Sequence, residues 1–357
     1  MPLAALNERL QQLGARPQHR ERLLRHWLQA LPLDHGRRPL QGFLPKALYE
    51  ALPALLCDWQ AGLTLHTREP ADDGSERLLW LLHDGQSVES VLLPPRAKSW
   101  GLCVSSQVGC AVGCGFCMTG QGGLVRQLSA LEILAQVVAA RHLRAINKVV
   151  FMGMGEPAHN LDAVLAAIEC LGTVGGFAHK QLVFSTVGDE RVFARLLAGP
   201  VKPALALSLH TTKPLLRREL LPRAPALDPA WLVEQADAYA RASGYPLQIQ
   251  WTLLEGVNDA EEDAILALLK GRFAILNLIP FNHVPGLPFR RPAWDAAEAL
   301  AARLTRAGVL TKLRNSAGQD VEGGCGQLRA RIQTERVVKV QRSKPSSVSP
   351  TSDPSSA

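Results

Sequence analysis

The chain has 357 residues, 47% of them hydrophobic and 20% charged, enough apolar content to bury a large core with a smaller unit beside it. No run approaches the ~20 apolar residues of a spanning helix, and the N-terminus lacks the charged-then-apolar layout of a secretory signal; the expectation is a soluble cytoplasmic protein without membrane contact, its seven cysteines kept as reduced thiols. A formal net charge of +7 draws a protein toward polyanions such as nucleic acid, although many basic proteins bind none.

Over residues 1–60 apolar residues recur at helical spacing, as in Leu6, Leu10 and Leu13, then Leu23, Leu24, Trp27 and Leu28, which predicts a small helical unit. Arg16, Arg20, Arg22, Arg25, Arg37, Arg38 and Lys46 run through it; they suit either a face that tracks RNA phosphates or an ordinary solvated face. Residues 61–98 change to short β-like runs broken by Asp73-Gly74 and Asp84-Gly85, two hairpin signals that predict a small antiparallel linker. From 99 to 335 the pattern alternates: strands are expected at 148–152, 181–186, 204–209, 247–254 and 273–279, with helices at 129–145, 161–171, 228–242 and 259–270. That alternation assigns the α/β class, a parallel sheet curled into a full or partial (β/α) barrel with reactive groups at the C-terminal strand ends. The tail 336–357, rich in Ser and Pro, reads as disordered.

Cys110, Cys114 and Cys117 stand in the run "CAVGCGFC". Three thiols cannot all pair with one another, and loops this short strain a disulfide, so a shared metal centre is favoured. A structural zinc wants a fourth ligand, and no second Cys or His pair follows; His142 and His159 are isolated. An iron-sulfur cube held by three cysteines keeps one iron open for substrate, and on spacing alone zinc remains the alternative. Beyond the strand at 148–152, Gly155 would let backbone approach a ligand and Glu156 offers a carboxylate to an ammonium group. Ser185, Ser208 and His210 fall at strand ends and Asn282 just past one, positions that suit a barrel mouth.

The run "CVSSQVGCAVGCGFCMTGQGG" at 103–123, "MGMGEP" at 152–157, "LSLH" at 207–210 and "CGQL" at 325–328 together resemble the RlmN/Cfr family of radical SAM RNA methyltransferases, over about residues 89–328. The resemblance implies one 4Fe-4S cluster on Cys110, Cys114 and Cys117, and S-adenosylmethionine (SAM), two per turnover, bound by Gly155, Glu156, Ser185, Ser208, Leu209, His210 and Asn282. It implies that Cys325 carries the methyl group, that Cys103 resolves the adduct and that Glu89 is the general base, although the Glu89 to Cys103 spacing is one residue longer than in the family. The product would be an adenosine methylated at carbon 2 or carbon 8 in 23S rRNA or tRNA. These ring carbons are electron-poor and do not attack the SAM methyl as an amine would, hence the S-methylcysteine route. An electron donor such as flavodoxin or ferredoxin and a disulfide reductant are implied as partners.

Two stretches depart from the family pattern. Its Ser-Thr-Ser-Gly run is Ser185-Thr186-Val187-Gly188 here, and its Trp-Asn-Pro-Phe-Pro-Gly run is Phe281-Asn282-His283-Val284-Pro285-Gly286, which leaves open a paralogue with another RNA target. A radical SAM enzyme on a non-RNA substrate and a non-catalytic zinc-bearing RNA-binding protein are the rival readings; the second leaves "MGMGEP" and "CGQL" without a use.

Overall fold

The computed structural model describes residues 3–32, 39–60, 62–96 and 99–330; Arg37, Arg38 and the expected tail 336–357 lie outside the described residues. The N-terminal unit comprises α1 (Leu3–Gln12), α2 (Pro17–Leu28), α3 (Leu40–Phe43) and α4 (Lys46–Trp59). Leu6, Leu10, Leu23, Leu28, Leu48, Leu55 and Trp59 are fully buried, so the i, i+3, i+4 stripes do face inward. The unit also leans on the rest of the chain: Gln29 Nε2 donates to the Val174 carbonyl at 2.8 Å, and Arg141 donates to the Leu28 and Gly175 carbonyls.

The hairpin signals produce β1 (Thr64–Pro70), β2 (Glu76–Leu81) and β3 (Ser87–Arg96). Gly74 and Gly85 take φ of 81° and 79°, and the Asp73 and Asp84 carboxylates accept from the backbone N–H of Ser75 and Gln86 at 2.9 and 3.1 Å, the Asx chemistry of tight turns. β3 pairs antiparallel with β4 (Ser99–Cys103), setting Val91 opposite Cys103. The hairpins therefore extend the main sheet.

A two-stranded ribbon, β5 (Gln107–Gly109) with β6 (Leu124–Gln127), brackets the cysteine run and the short α5 (Met118–Gln121). The next helix, α6 (Ala130–Leu143), opens on a capping box: Ser129 Oγ accepts from Glu132 N, and Glu132 accepts from Ser129 N at 2.7 Å. Then follow β7 (Ile146–Phe151), α7 (Leu161–Thr173), β8 (Leu182–Thr186), α8 (Glu190–Ala198), β9 (Ala204–Ser208), α9 (Pro214–Leu220), α10 (Pro229–Ser243), β10 (Leu247–Leu253), α11 (Glu262–Leu269), β11 (Ala274–Pro280), α12 (Trp294–Arg306) and β12 (Thr311–Leu313).

The sheet order is β1-β2-β3-β4-β7-β8-β9-β10-β11-β12, parallel from β4 onward. β4 and β12 do not pair, so the curled sheet stays open and the partial form of the expected (β/α) barrel is the one adopted. α8, α9, α12 and β12 exceed the predicted elements. The described residues include no helix long and apolar enough to cross a membrane.

Candidate active site

The β5–α5 loop carries the three clustered thiols. Its backbone is fixed from three sides: Cys110 N donates to Gly123 O at 3.0 Å, Gly115 N to Leu220 O at 2.9 Å, and Arg223 N to Val112 O at 3.1 Å. Cys110, Cys114 and Cys117 line one cavity of about 160 Å³ together with Gly155, Glu156 and Cys325. Burial pushes the Cys110 thiol up to about 12 and Cys114 well above its ordinary value, with the neighbouring cysteines adding to it; thiols gathered this way ionise when a cationic centre meets them. Among the described residues no three Cys, His, Asp or Glu side chains form a group set to hold a metal ion as they stand. A three-thiol donor set around a shared cavity fits a cluster with one iron left for another ligand.

The opposite wall is built by the ends of β7, β8 and β9. Gly155 sits at φ 105°, and a Cβ there would come within 2.6 Å of the Gln107 side chain; only glycine keeps this wall in place. Glu156 is buried, accepting from Ala158 N and Val187 N at 3.0 Å each. Burial pushes its carboxyl up to about 7, against the pull of Thr186 and those backbone donors. Ser185, Ser208 and His210 line the same cavity. His210 holds φ 64° and accepts from Thr252 N through Nδ1 at 2.9 Å, so the neutral ring carries its proton on Nε2. Burial and then the Arg217 charge take it down to about 3, and it stays neutral at physiological pH. Leu209 is fully buried and contributes backbone, its N–H bonded to Gln250 O at 3.1 Å. Asn282 is elsewhere: its Nδ2 donates to Ser316 Oγ and to the Cys325 carbonyl, both at 2.9 Å, and its buried Oδ1 has no partner among the described residues. Its Nδ2 holds the Cys325 loop, and its Oδ1 is left open to the SAM contact that the resemblance implies.

Cys325 lines the thiol cavity and also a second cleft of about 280 Å³, whose wall includes Cys103. The loop bearing it is docked on the cluster loop: Met118 N donates to Gly326 O at 2.7 Å and Thr119 Oγ1 to Leu328 O at 2.6 Å. Cys325 is open to the cleft but surrounded by protein on most sides, and this lifts its thiol while a Ser316 hydrogen bond opposes the rise. Burial, with Cys325 nearby, pushes Cys103 up to about 12. Glu89 lies apart from both cavity walls. Fully buried, it accepts from Arg77 at 2.8 Å through Oε1 and from Arg329 N and Ala330 N at 2.8 and 3.0 Å through Oε2, tying the segment beyond Cys325 to β3.

Residues 104–269 match the Radical SAM superfamily. A protein of Leptothrix cholodnii called a "probable RNA methyltransferase" is 62% identical over 93% of this chain and 95% of its own length; a namesake from Methylibium petroleiphilum is 64% identical over 93% of each chain. The crystal structure of a radical SAM methyltransferase from Sphaerobacter thermophilus superposes with a TM-score of 0.78 at 35% identity, covering 93% of this chain and 98% of that one. The chain belongs to the RlmN/Cfr-type radical SAM methyltransferases. Membership removes the zinc-module reading and makes a 4Fe-4S cluster and SAM the cofactors of this radical SAM methyltransferase.

Two residues of this radical SAM methyltransferase were not marked by the sequence. Arg217 is buried on α9, donates to the Val187 carbonyl, and sets a positive charge near Cys114, Glu156 and His210. Ser316 links Asn282 to the Cys325 thiol. Neither falls in a spacing motif: Arg217 reads as one of two adjacent arginines on a short helix, and Ser316 as a polar loop residue.

Proposed function

We propose that this methyltransferase acts on RNA, moving a methyl-derived carbon through S-methylcysteine at Cys325 to carbon 2 or carbon 8 of an adenosine, in rRNA or tRNA. The observation that carries the reading is the position of Cys325 on the wall of both cavities, facing the thiol loop on one side and Cys103 on the other. The names of the relatives in Leptothrix and Methylibium and the net charge of +7 favour RNA as the acceptor.

When bound, the cluster and SAM supply the transferable methyl group and a radical that abstracts hydrogen. Cys325 takes the methyl on sulfur, loses one hydrogen atom from it, and the resulting carbon bonds to the ring. The ring carbon then gives up its proton and Cys103 attacks the Cys325 sulfur, so that an S–S bond replaces the S–C bond, the one electron lost by the adduct would pass to the cluster when it is bound, and the freed carbon gains a proton to become the product methyl. A disulfide reductant resets the pair. Cys103 is buried as a thiol, so it must lose its proton before it attacks. Glu89 enters as the proton acceptor once the segment at Arg329 and Ala330 releases one of its N–H bonds.

The test separates the two cysteines. Cys325→Ala should yield neither methylated RNA nor adduct. Cys103→Ala should still load the carrier and add it to RNA, and should accumulate RNA linked through Cys325, seen as a shifted band that nuclease collapses to protein bearing one nucleotide. Normal turnover by Cys103→Ala, or an adduct in Cys325→Ala, would sink the mechanism.

A further inference from the structure

The second cleft continues from Cys325 into the barrel interior, and its floor is polar where a packed barrel carries Val, Ile or Leu. Gln248 and Gln250 project from the same face of β10, two residues apart, and Gln250 is in register with Asn277 on β11. All three line the cleft, as do Lys148 and Arg314. The Asn277 Oδ1 accepts from Arg314 Nε at 2.8 Å. Neither Gln248 nor Gln250 has a side-chain hydrogen-bond partner among the described residues. Both carboxamides are half-buried and open to the cleft, so their donors and acceptors are free to pair with a group that enters.

We propose that this floor is the base-reading site for the acceptor adenine: Gln248 and Gln250 pair with its amino-bearing edge. The inference rests on the reading of the acceptor as RNA. Its chemistry follows from the cleft. Val91, Leu93, Val150 and Met152 supply apolar surface for the flat faces of a ring. About 280 Å³ admits one nucleotide turned out of its stack and excludes a paired strand. A carboxamide presents one donor and one acceptor, matching the N6 amino group and an adjacent ring nitrogen of adenine; guanine shows two acceptors along its major-groove edge. Cys103 and Cys325 share the cleft, so a base seated on this floor lies beside both reacting sulfurs. Gln250 also borders the thiol cavity, and it pairs in register with Ser208, which joins the base site to the SAM site.

The experiment uses intact, anaerobically cluster-loaded protein and two fluorescent single-stranded probes: oligouridine with one central adenosine, and the same strand with inosine, which lacks the amino group. The native protein should bind the adenosine probe about tenfold more tightly, and Gln248→Ala and Gln250→Ala should each shrink that preference toward parity, with KM for RNA rising more than kcat falls. Iron and sulfide content of each variant reports whether it is folded, and Gln248→Asn, which keeps the carboxamide, should recover part of the preference. The inference is overturned if both alanine variants keep the full preference, if the native protein has none, or if the variants weaken SAM binding and leave the probes untouched. A native protein that binds neither probe and methylates no cellular RNA overturns this site together with the RNA reading, whereas methylation of RNA with unchanged base preference in the variants overturns the site alone.

Discussion

Glu156 is asked to be a carboxylate in a place that disfavours charge. Folded, burial holds its carboxyl up at about 7; unfolded, it ionises near its ordinary value of about 4.3. Between those pH values the folded protein keeps a proton that the unfolded chain has lost, so stability falls as pH rises through the window and levels off above it. The shift corresponds to about 4 kcal/mol. Urea melts of cluster-free protein should show Glu156→Gln gaining on the native chain by roughly that amount between pH ~4.5 and ~7; parallel curves for the two would mean that Arg217 and the Val187 and Ala158 amides already neutralise the site. The same residue shows what local pattern conveys. "MGMGEP" and the thiol spacing are contiguous in sequence and could be read directly, while the groups that set their electrostatics, Arg217 on α9 and Ser316 after β12, arrive from distant segments and leave no local trace.

Among elements, β10 is the instructive misfit between pattern and place. Its sequence, Leu247 to Leu253, alternates apolar with polar, the usual sign of a strand with one wet face. Here Leu247, Ile249, Trp251 and Leu253 are buried beneath the helical layer, while Gln248 and Gln250 face the cleft and Thr252 the thiol cavity. Alternation reports that two faces differ and is silent on whether the polar one meets water or a ligand. The basic N-terminal helices raise the converse question. Arg25 pairs with Glu21 and Lys46 with Glu50, so two of the residues expected to track phosphates already face a carboxylate, as does Arg9 with Asp58; among the other described residues Arg16 is exposed and Arg20 half-buried. Deleting the helices would uncover the buried face they share with α6, so charge reversal is the cleaner probe. Arg16→Glu with Arg20→Glu should lower the slope of log affinity against log salt by about 1.4 if both meet phosphates of a single strand. An unchanged slope would return this face to plain solvation.

At the scale of the whole molecule, the antiparallel strands were expected as a linker between two units, yet they share a sheet, a polar core and a cleft with the barrel. β3 sends Val91 and Leu93 into the cleft beside Cys103 and holds the Cys325 segment through Glu89. A buried chain of hydrogen bonds runs from Trp80 Nε1 to Ser90 Oγ at 3.0 Å, from Ser90 to Gln136 on α6 at 2.8 Å, and from Gln136 back to the backbone of Ser105 at 3.0 Å. Opening the hairpins would break each of these bonds and bare Leu78, Trp80, Val88 and Leu92, a large loss against the marginal stability of a folded chain. The antiparallel strands should therefore unfold with the barrel as one cooperative unit. Native-state hydrogen exchange should assign the amides of Leu78, Leu79 and Val91 the same opening free energy as those of Val149, Phe184 and Leu205, with the same dependence on denaturant. If β2 and β3 open at markedly lower free energy while β7 to β9 stay closed, the strands form a separable linker after all, and the wall they contribute to the cleft would be able to leave without the barrel.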